Sequence, residues 1–171
     1  MIIKKLSYFI TFKIIALVII TSNLIGCNSI DQAMSMVVPF YSYDKTPLSN
    51  ISISASHNSN QNMPVAVDIV FIYKDTVNAA LLGLSGPEWF KNKPELLLRY
   101  KKDLEVVHKE IVPRTLTETI ELPEHYDDAI KILIFANYLA PSGQYIADIT
   151  KFSDLHIELN KSSYQLKEME P

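Results

Sequence analysis

Cysteine occurs once, at Cys27, so no disulfide can form within the chain and packing alone must hold the fold. Glycine is nearly as scarce: beyond Gly26 only Gly83, Gly86 and Gly143 remain. That excludes a glycine-rich phosphate cradle and a G-x-S-x-G nucleophile elbow, and with them the common nucleotide and hydrolase signatures. Basic residues are in the minority, 16 against 19 acidic, so the chain lacks the cationic surplus that nucleic acid binding requires. His57, His108, His125 and His156 stand in different segments, none with a second histidine or cysteine two to four residues away. No zinc site, cofactor or small-molecule substrate is therefore expected. His108 and Glu110 share one face of a candidate strand, but an exposed polar face produces that spacing by default, so no acid/base pair is assigned to them.

What the chain does have begins at its start. Lys4 and Lys5 precede an apolar run, almost wholly aliphatic from Ile14 to Ile20, that is interrupted by Thr21, Ser22 and Asn23 and ends Leu24-Ile25-Gly26-Cys27. The uninterrupted part is too short for a comfortable bilayer span of about 20 residues. The layout is that of a lipoprotein signal peptide over residues 1–26, with cleavage before Cys27 and lipid on its thiol and amine. Three acyl chains exceed the two signals that stable anchoring needs. Asn28 stands where an aspartate would signal inner-membrane retention in enteric bacteria, so the expectation is the outer membrane, with the globular part facing the periplasm. Loss of residues 1–26 removes three lysines and no acid, leaving 13 basic and 19 acidic residues, a formal charge of −6.

Residues 27–47 read as a lipidated N-terminus and polar spacer, in which Met36 to Tyr41 is apolar enough to dock on the domain that follows. The domain is expected over residues 48–171. Ile51, Ile53 and Ala55 alternate with serines, the period of a half-buried strand, and after a polar loop Pro64 to Tyr73 is apolar on both faces, as a central strand is. Asp68 is the one ionisable residue within that strand and is expected to have a structural partner. Helix follows: Asp75 can cap a segment with Val77, Ala80, Leu81 and Leu84 on one face, Ser85-Gly86-Pro87-Glu88 matches a capping box, and Pro94 can start a further helix. Trp89 and Phe90 are read as packing anchors. Strands then return at 106–112, 116–122, 130–139, 145–149 and 155–159, separated by proline-containing turns. Seven to eight short strands with a helical insertion after the second indicate a mainly β protein, an antiparallel β-sandwich.

With no constellation for catalysis, the chain reads as a membrane-tethered binding part rather than an enzyme. Loops at the ends of a sandwich carry such contacts, and the amide-rich run His57, Asn58, Ser59, Asn60, Gln61, Asn62 and Met63 is the best of them. As a plain solvated hairpin loop, the same run would need no partner.

The order of features resembles the TssJ (SciN/VasD) family of type VI secretion lipoproteins. The resemblance rests on Cys27, Asn58 and Pro64 after a first strand, an aliphatic strand ending in Tyr73, and a helical stretch with Phe90. It also rests on Glu110-Ile111-Val112-Pro113, similar to the family's E-x-x-P-G turn with Arg114 at the glycine, and on Phe135-Ala136-Asn137-Tyr138 before Pro141-Ser142-Gly143. It implies a transthyretin-like sandwich and a role anchoring the secretion envelope complex to the outer membrane. The loop between the first two strands, here His57 to Met63, would bind the periplasmic end of TssM, an inner-membrane protein. A pilotin-like assembly lipoprotein and, less readily, a lipid-anchored periplasmic enzyme are the alternatives.

Overall fold

A computed structural model describes residues 45–169. The expected signal peptide, Cys27, the spacer as far as residue 44 and the segment Met36 to Tyr41 lie outside the described residues. The strands are β1 (Asn50–Ala55), β2 (Val65–Ile72), β3 (Leu104–Ile111), β4 (Glu118–Ile120), β5 (Lys131–Ala136), β6 (Ala147–Asp148), β7 (Asp154–Leu159) and β8 (Tyr164–Glu168). Between β2 and β3 come helices α1 (Asp75–Leu81) and α2 (Gly86–Tyr100). One sheet has the order β4-β1-β7-β8 and the other β3-β2-β5-β6. The expected sandwich with its helical excursion is thus present. Every strand pair is antiparallel except β1 with β7, which run parallel in register from Asn50↔Asp154 to Ala55↔Leu159. That exception follows from the chain crossing to the other sheet after β1 instead of turning back beside it.

The layers are held by two apolar cores. Ile51, Ile53, Leu155 and Ile157 of the first sheet face Val67, Ile69, Phe71, Ile132 and Ile134 of the second. On its other side the second sheet packs Val70, Ile72, Leu133 and Phe135 against Val77, Leu81 and Trp89 of the helices. β2 therefore buries both faces, which is why its sequence is a continuous apolar run. Each fully buried side chain of this kind contributes about 1.5–3 kcal/mol of transfer free energy.

Local chemistry explains the helices, with two corrections to the expected starts. Asp75 is the first helical residue and not the cap, which is Lys74 in extended conformation. Pro94 does not begin a new helix but lies inside the 15-residue α2. Its ring is exposed, and α2 continues through it because the helix is fixed ahead of that point by a capping box and by Trp89. In that box the Ser85 amide and hydroxyl both donate to Glu88 Oε2, at 2.7 and 2.8 Å, and these bonds hold the Glu88 carboxyl below its ordinary range. Gly86 has a different necessity: a Cβ there would stand 2.2 Å from the Ala136 carbonyl oxygen, so only glycine lets α2 sit on β5. The eighth strand, Tyr164–Glu168, lies beyond the last expected strand and closes the first sheet against β7.

Candidate functional site

Strand direction sorts the connections between two ends of the sandwich. The connections β1–β2, β3–β4, β5–β6 and β7–β8 gather at one end, hereafter the loop end. At the opposite end, where the described chain begins, Lys45 pairs with Asp127 at 2.6 Å and Asp128 at 3.2 Å. β1 runs from that end to the loop end, from Asn50 to Ala55.

The expected contact loop, His57 to Met63, is at the loop end, and it is not a hairpin, because β1 and β2 belong to different sheets. Asn60, Gln61 and Asn62 occupy the left-handed region in succession, with φ of 45°, 59° and 69°. Asparagine tolerates that conformation best among residues other than glycine. The run is pinned from beneath by Asn60, which is only 2% exposed. Its Nδ2 donates to the Pro64 carbonyl at 2.9 Å, and its Oδ1 accepts from the Leu139 amide at 2.8 Å. The Asn60 and Gln61 amides donate to the carbonyls of Asn160 and Lys161 in the β7–β8 connection. Ser56 Oγ donates to Asn58 Oδ1 at 3.1 Å. Of the seven residues, Ser59 and Asn60 are buried and serve the loop's shape; His57, Gln61, Asn62 and Met63 are exposed and Asn58 is half-buried.

The other connections are tied into the same surface. The Arg114 amide donates to the Ser56 carbonyl at 3.1 Å and the Ala55 amide to the Thr115 carbonyl at 3.0 Å. Arg114 itself has φ of 69°, which is the physical reason a glycine suits that turn. Tyr145 stacks on Tyr164 with ring centroids 4.4 Å apart, and each hydroxyl donates to the other's backbone carbonyl. Burial pushes both hydroxyls up, and that of Tyr138 too, whose proton is donated to the Asn160 carbonyl at 3.1 Å. Gly143 fits because a Cβ there would come within 2.8 Å of the Ser162 carbonyl. These contacts make the loop end a fixed platform.

Asp68, fully buried, has the structural partners expected of it. Trp89 Nε1 donates to Oδ2 at 2.7 Å, Lys93 Nζ lies 2.8 Å from the same oxygen, and His108 Nδ1 lies 2.5 Å from Oδ1. Trp89 stacks on Phe135 at 4.8 Å, and Phe90 meets the His108 ring edge-on at 6.5 Å. The carboxylate thus fastens α2 to β2 and β3, and the anchoring role read for Trp89 and Phe90 holds. His108 is engaged there and not with Glu110. His156 is bridged by Ser52 and Ser54 on the outer face of the first sheet, at 2.8 and 2.9 Å.

A depression of about 500 Å³ at the opposite end is lined by Tyr73, Lys102, Glu105, His125 and Asp128 among others. Burial, and then Glu105, which accepts from its hydroxyl at 3.3 Å, pushes Tyr73 up to about 12, so that phenol stays protonated and is no base near neutral pH. Among the described residues no cluster of His, Cys, Asp or Glu could hold a metal ion, and no helix is long and apolar enough to cross a membrane.

No protein-family pattern matches the sequence, and no curated protein matches it. Solved structures do match in shape. The T6SS lipoprotein TssJ1 from Pseudomonas aeruginosa superposes with a TM-score of 0.51 at 16% identity, over 71% of this chain and 95% of that one. Serratia marcescens Lip, a membrane bound component of the Type VI Secretion System, gives 0.49 at 12% identity, over 71% and 96%. A structure of the T6SS protein TssM C-terminal domain from EAEC gives 0.49 at 14% identity, over 69% and 98%. The chain has the fold of the T6SS lipoprotein TssJ1.

Proposed function

We propose that the protein is an outer-membrane-anchored lipoprotein that tethers a type VI secretion envelope complex by binding the periplasmic domain of a TssM-like inner-membrane protein. The observation that carries this reading is the course of β1. It starts at the end of the sandwich where the described chain begins, near Lys45, and runs to the His57 to Met63 loop, so the described chain enters at one end of the sandwich and the expected contact loop stands at the other. The shared fold with a type VI secretion lipoprotein supports it, as does the lone cysteine behind a signal-like segment.

The mechanism is mechanical and needs no turnover. Acyl chains on Cys27 hold one side, the loop end holds the partner, and tension between them runs along β1. Three antiparallel register pairs join β1 to β4 and six parallel pairs join it to β7, with bonds that lie across the strand in the first ladder and slant across it in the second. Pulling along β1 loads these bonds together instead of peeling them one at a time, which suits a domain placed in a load path.

The test is Cys27→Ser in the full chain. The variant is expected to fold and to bind the partner's periplasmic domain, yet to leave the outer-membrane fraction and abolish secretion. Normal secretion by an unlipidated protein would sink the proposal.

A further inference from the structure

The loop end has a chemistry that the His57 to Met63 stretch does not disclose. Its four connections, residues 56–64, 112–117, 137–146 and 160–163, contain no aspartate or glutamate, although residues 45–169 carry 16 acids against 13 Lys and Arg. They hold His57, Arg114 and Lys161, and neither Arg114 nor Lys161 has an ion-pair partner among the described residues. The acids are drawn to the opposite end, where Asp103, Glu121, Glu124, Asp127 and Asp128 occupy the connections. Near the loop end Glu118 is paired with Lys109 at 2.6 Å and Glu158 with Lys167, which leaves Glu110, exposed at the end of β3, as the one acid there without an ion pair among the described residues.

The same connections also concentrate exposed apolar side chains. Of the eight large hydrophobic residues left exposed among the described residues, five lie there: Met63 (53%), Val112 (54%), Leu116 (86%), Leu139 (58%) and Tyr145 (44%). Backbone bonds from the Arg114 amide to Ser56 and from the Gln61 amide to Lys161, with the Asn60 side chain accepting from the Leu139 amide, hold these residues on one surface. Apolar side chains beside arginine, on a platform that is already rigid, are what an interface centre is made of.

We infer that the whole loop end is one composite docking surface, and that its occupant is a segment of another protein in which acidic residues flank apolar side chains. This deepens the proposed tethering function and rests on it: the partner would meet Arg114 and Lys161 with carboxylates while its apolar side chains cover Met63, Val112, Leu116 and Leu139. Charge complementarity selects the acidic segment; the spread of apolar side chains over three connections suits protein better than a headgroup, which would offer them nothing to cover.

The experiment places a photo-crosslinking residue at Gln61, Leu116 or Leu139, or at Lys102 of the opposite end as control, in the full lipidated chain in cells. Attached peptides are then mapped. The expected result is a single partner from Gln61, Leu116 and Leu139 and none from Lys102, with the attached segment rich in Asp or Glu beside apolar residues. Arg114→Glu with Lys161→Glu should cut the yield about tenfold, the scale on which opposed charges select partners. Lysines in the mapped acidic segment should restore it. Attachment from Gln61 but not from Leu116 or Leu139 would overturn the composite surface while leaving the tethering proposal standing. Attachment to a second copy of this chain, to lipid, or to a segment without acids would overturn the inference as well. No attachment from any loop-end position would overturn both.

Discussion

Replacing Asn60 by alanine should unfold the loop end's architecture without removing any exposed side chain. The amide holds the Pro64 carbonyl and the Leu139 amide, so its loss leaves one acceptor and one donor in part-buried positions without their partner. A typical net loss is about 1 kcal/mol for each, more where water cannot reach. The backbone adds to this, because φ is 45° at residue 60 and a left-handed conformation costs alanine about 1 kcal/mol beyond what asparagine bears. The total is about 3 kcal/mol, a large fraction of the 5–15 kcal/mol that holds an ordinary domain. Urea unfolding of residues 28–171, followed by circular dichroism, should show the midpoint falling by about 1–2 M. Asn60→Gly, which loses the amide but not the backbone compatibility, should cost about 2 kcal/mol. Asn62→Ala, exposed though also left-handed at 69°, should cost only the backbone part, about 1 kcal/mol. Equal effects for Asn60→Ala and Asn62→Ala would refute the view that Asn60 is the buried pin of this loop.

Other predictions follow from the remaining contacts. Trp89→Phe keeps the stack on Phe135 but takes one donor from buried Asp68; with Lys93 and His108 still in place the expected destabilisation is about 1–3 kcal/mol, read by thermal or urea unfolding. Gly86→Ala puts a Cβ into the Ala136 carbonyl and should lift α2 from β5, seen as loss of near-ultraviolet signal from Trp89; a variant as stable as the parent would contradict the close approach. Stability should also depend on pH at both extremes. Glu88, Glu158 and Glu168 are held below the ordinary carboxylate range by bonds from Ser85, Lys167 and Ser153 respectively. Asp148 is lowered as well: burial pushes it up, but Lys131 and Thr150 together outweigh that. Depressed carboxylates stabilise the fold above their unfolded values, near 4, and that contribution is lost as pH falls through the folded values, so the urea midpoint should drop between pH 5 and roughly pH 2. Tyr73 works in the other direction: raised to about 12, it stabilises below its unfolded value near 10 and loses that contribution as pH rises toward 12. A flat midpoint from pH 5 down to roughly pH 3 would refute the acid arm.

Periodicity made most of the fold legible. The serine alternation of β1, the two-faced apolar run of β2 and the capping box of α2 each state their structure locally, because each is a matter of neighbours two to four residues apart. Strand ends were less legible: 116–122 was expected where only Glu118–Ile120 pairs, since the length of a ladder depends on where the partner strand stops. β8 carried a signal in Tyr164 and Leu166, which alternate with polar residues after the Asn160 to Ser163 turn, but five residues at a chain end give periodicity little to work on.

The sequence by itself determined that the domain is a β-sandwich with a helical insertion, that its single cysteine follows a signal-like segment, and that an amide-rich loop separates the first two strands. It determined these because they are written in composition and short-range pattern. Only the tertiary structure decided that Asn60 points inward while Gln61, Asn62 and Met63 remain outside, that Asp68 meets Trp89, Lys93 and His108, and that Arg114, Leu116, Leu139 and Lys161 share a surface with the loop. Those residues are separated by tens of positions along the chain, and what brings them together is the pairing of β1, β2, β5 and β7 across two sheets, a long-range outcome that no local pattern encodes.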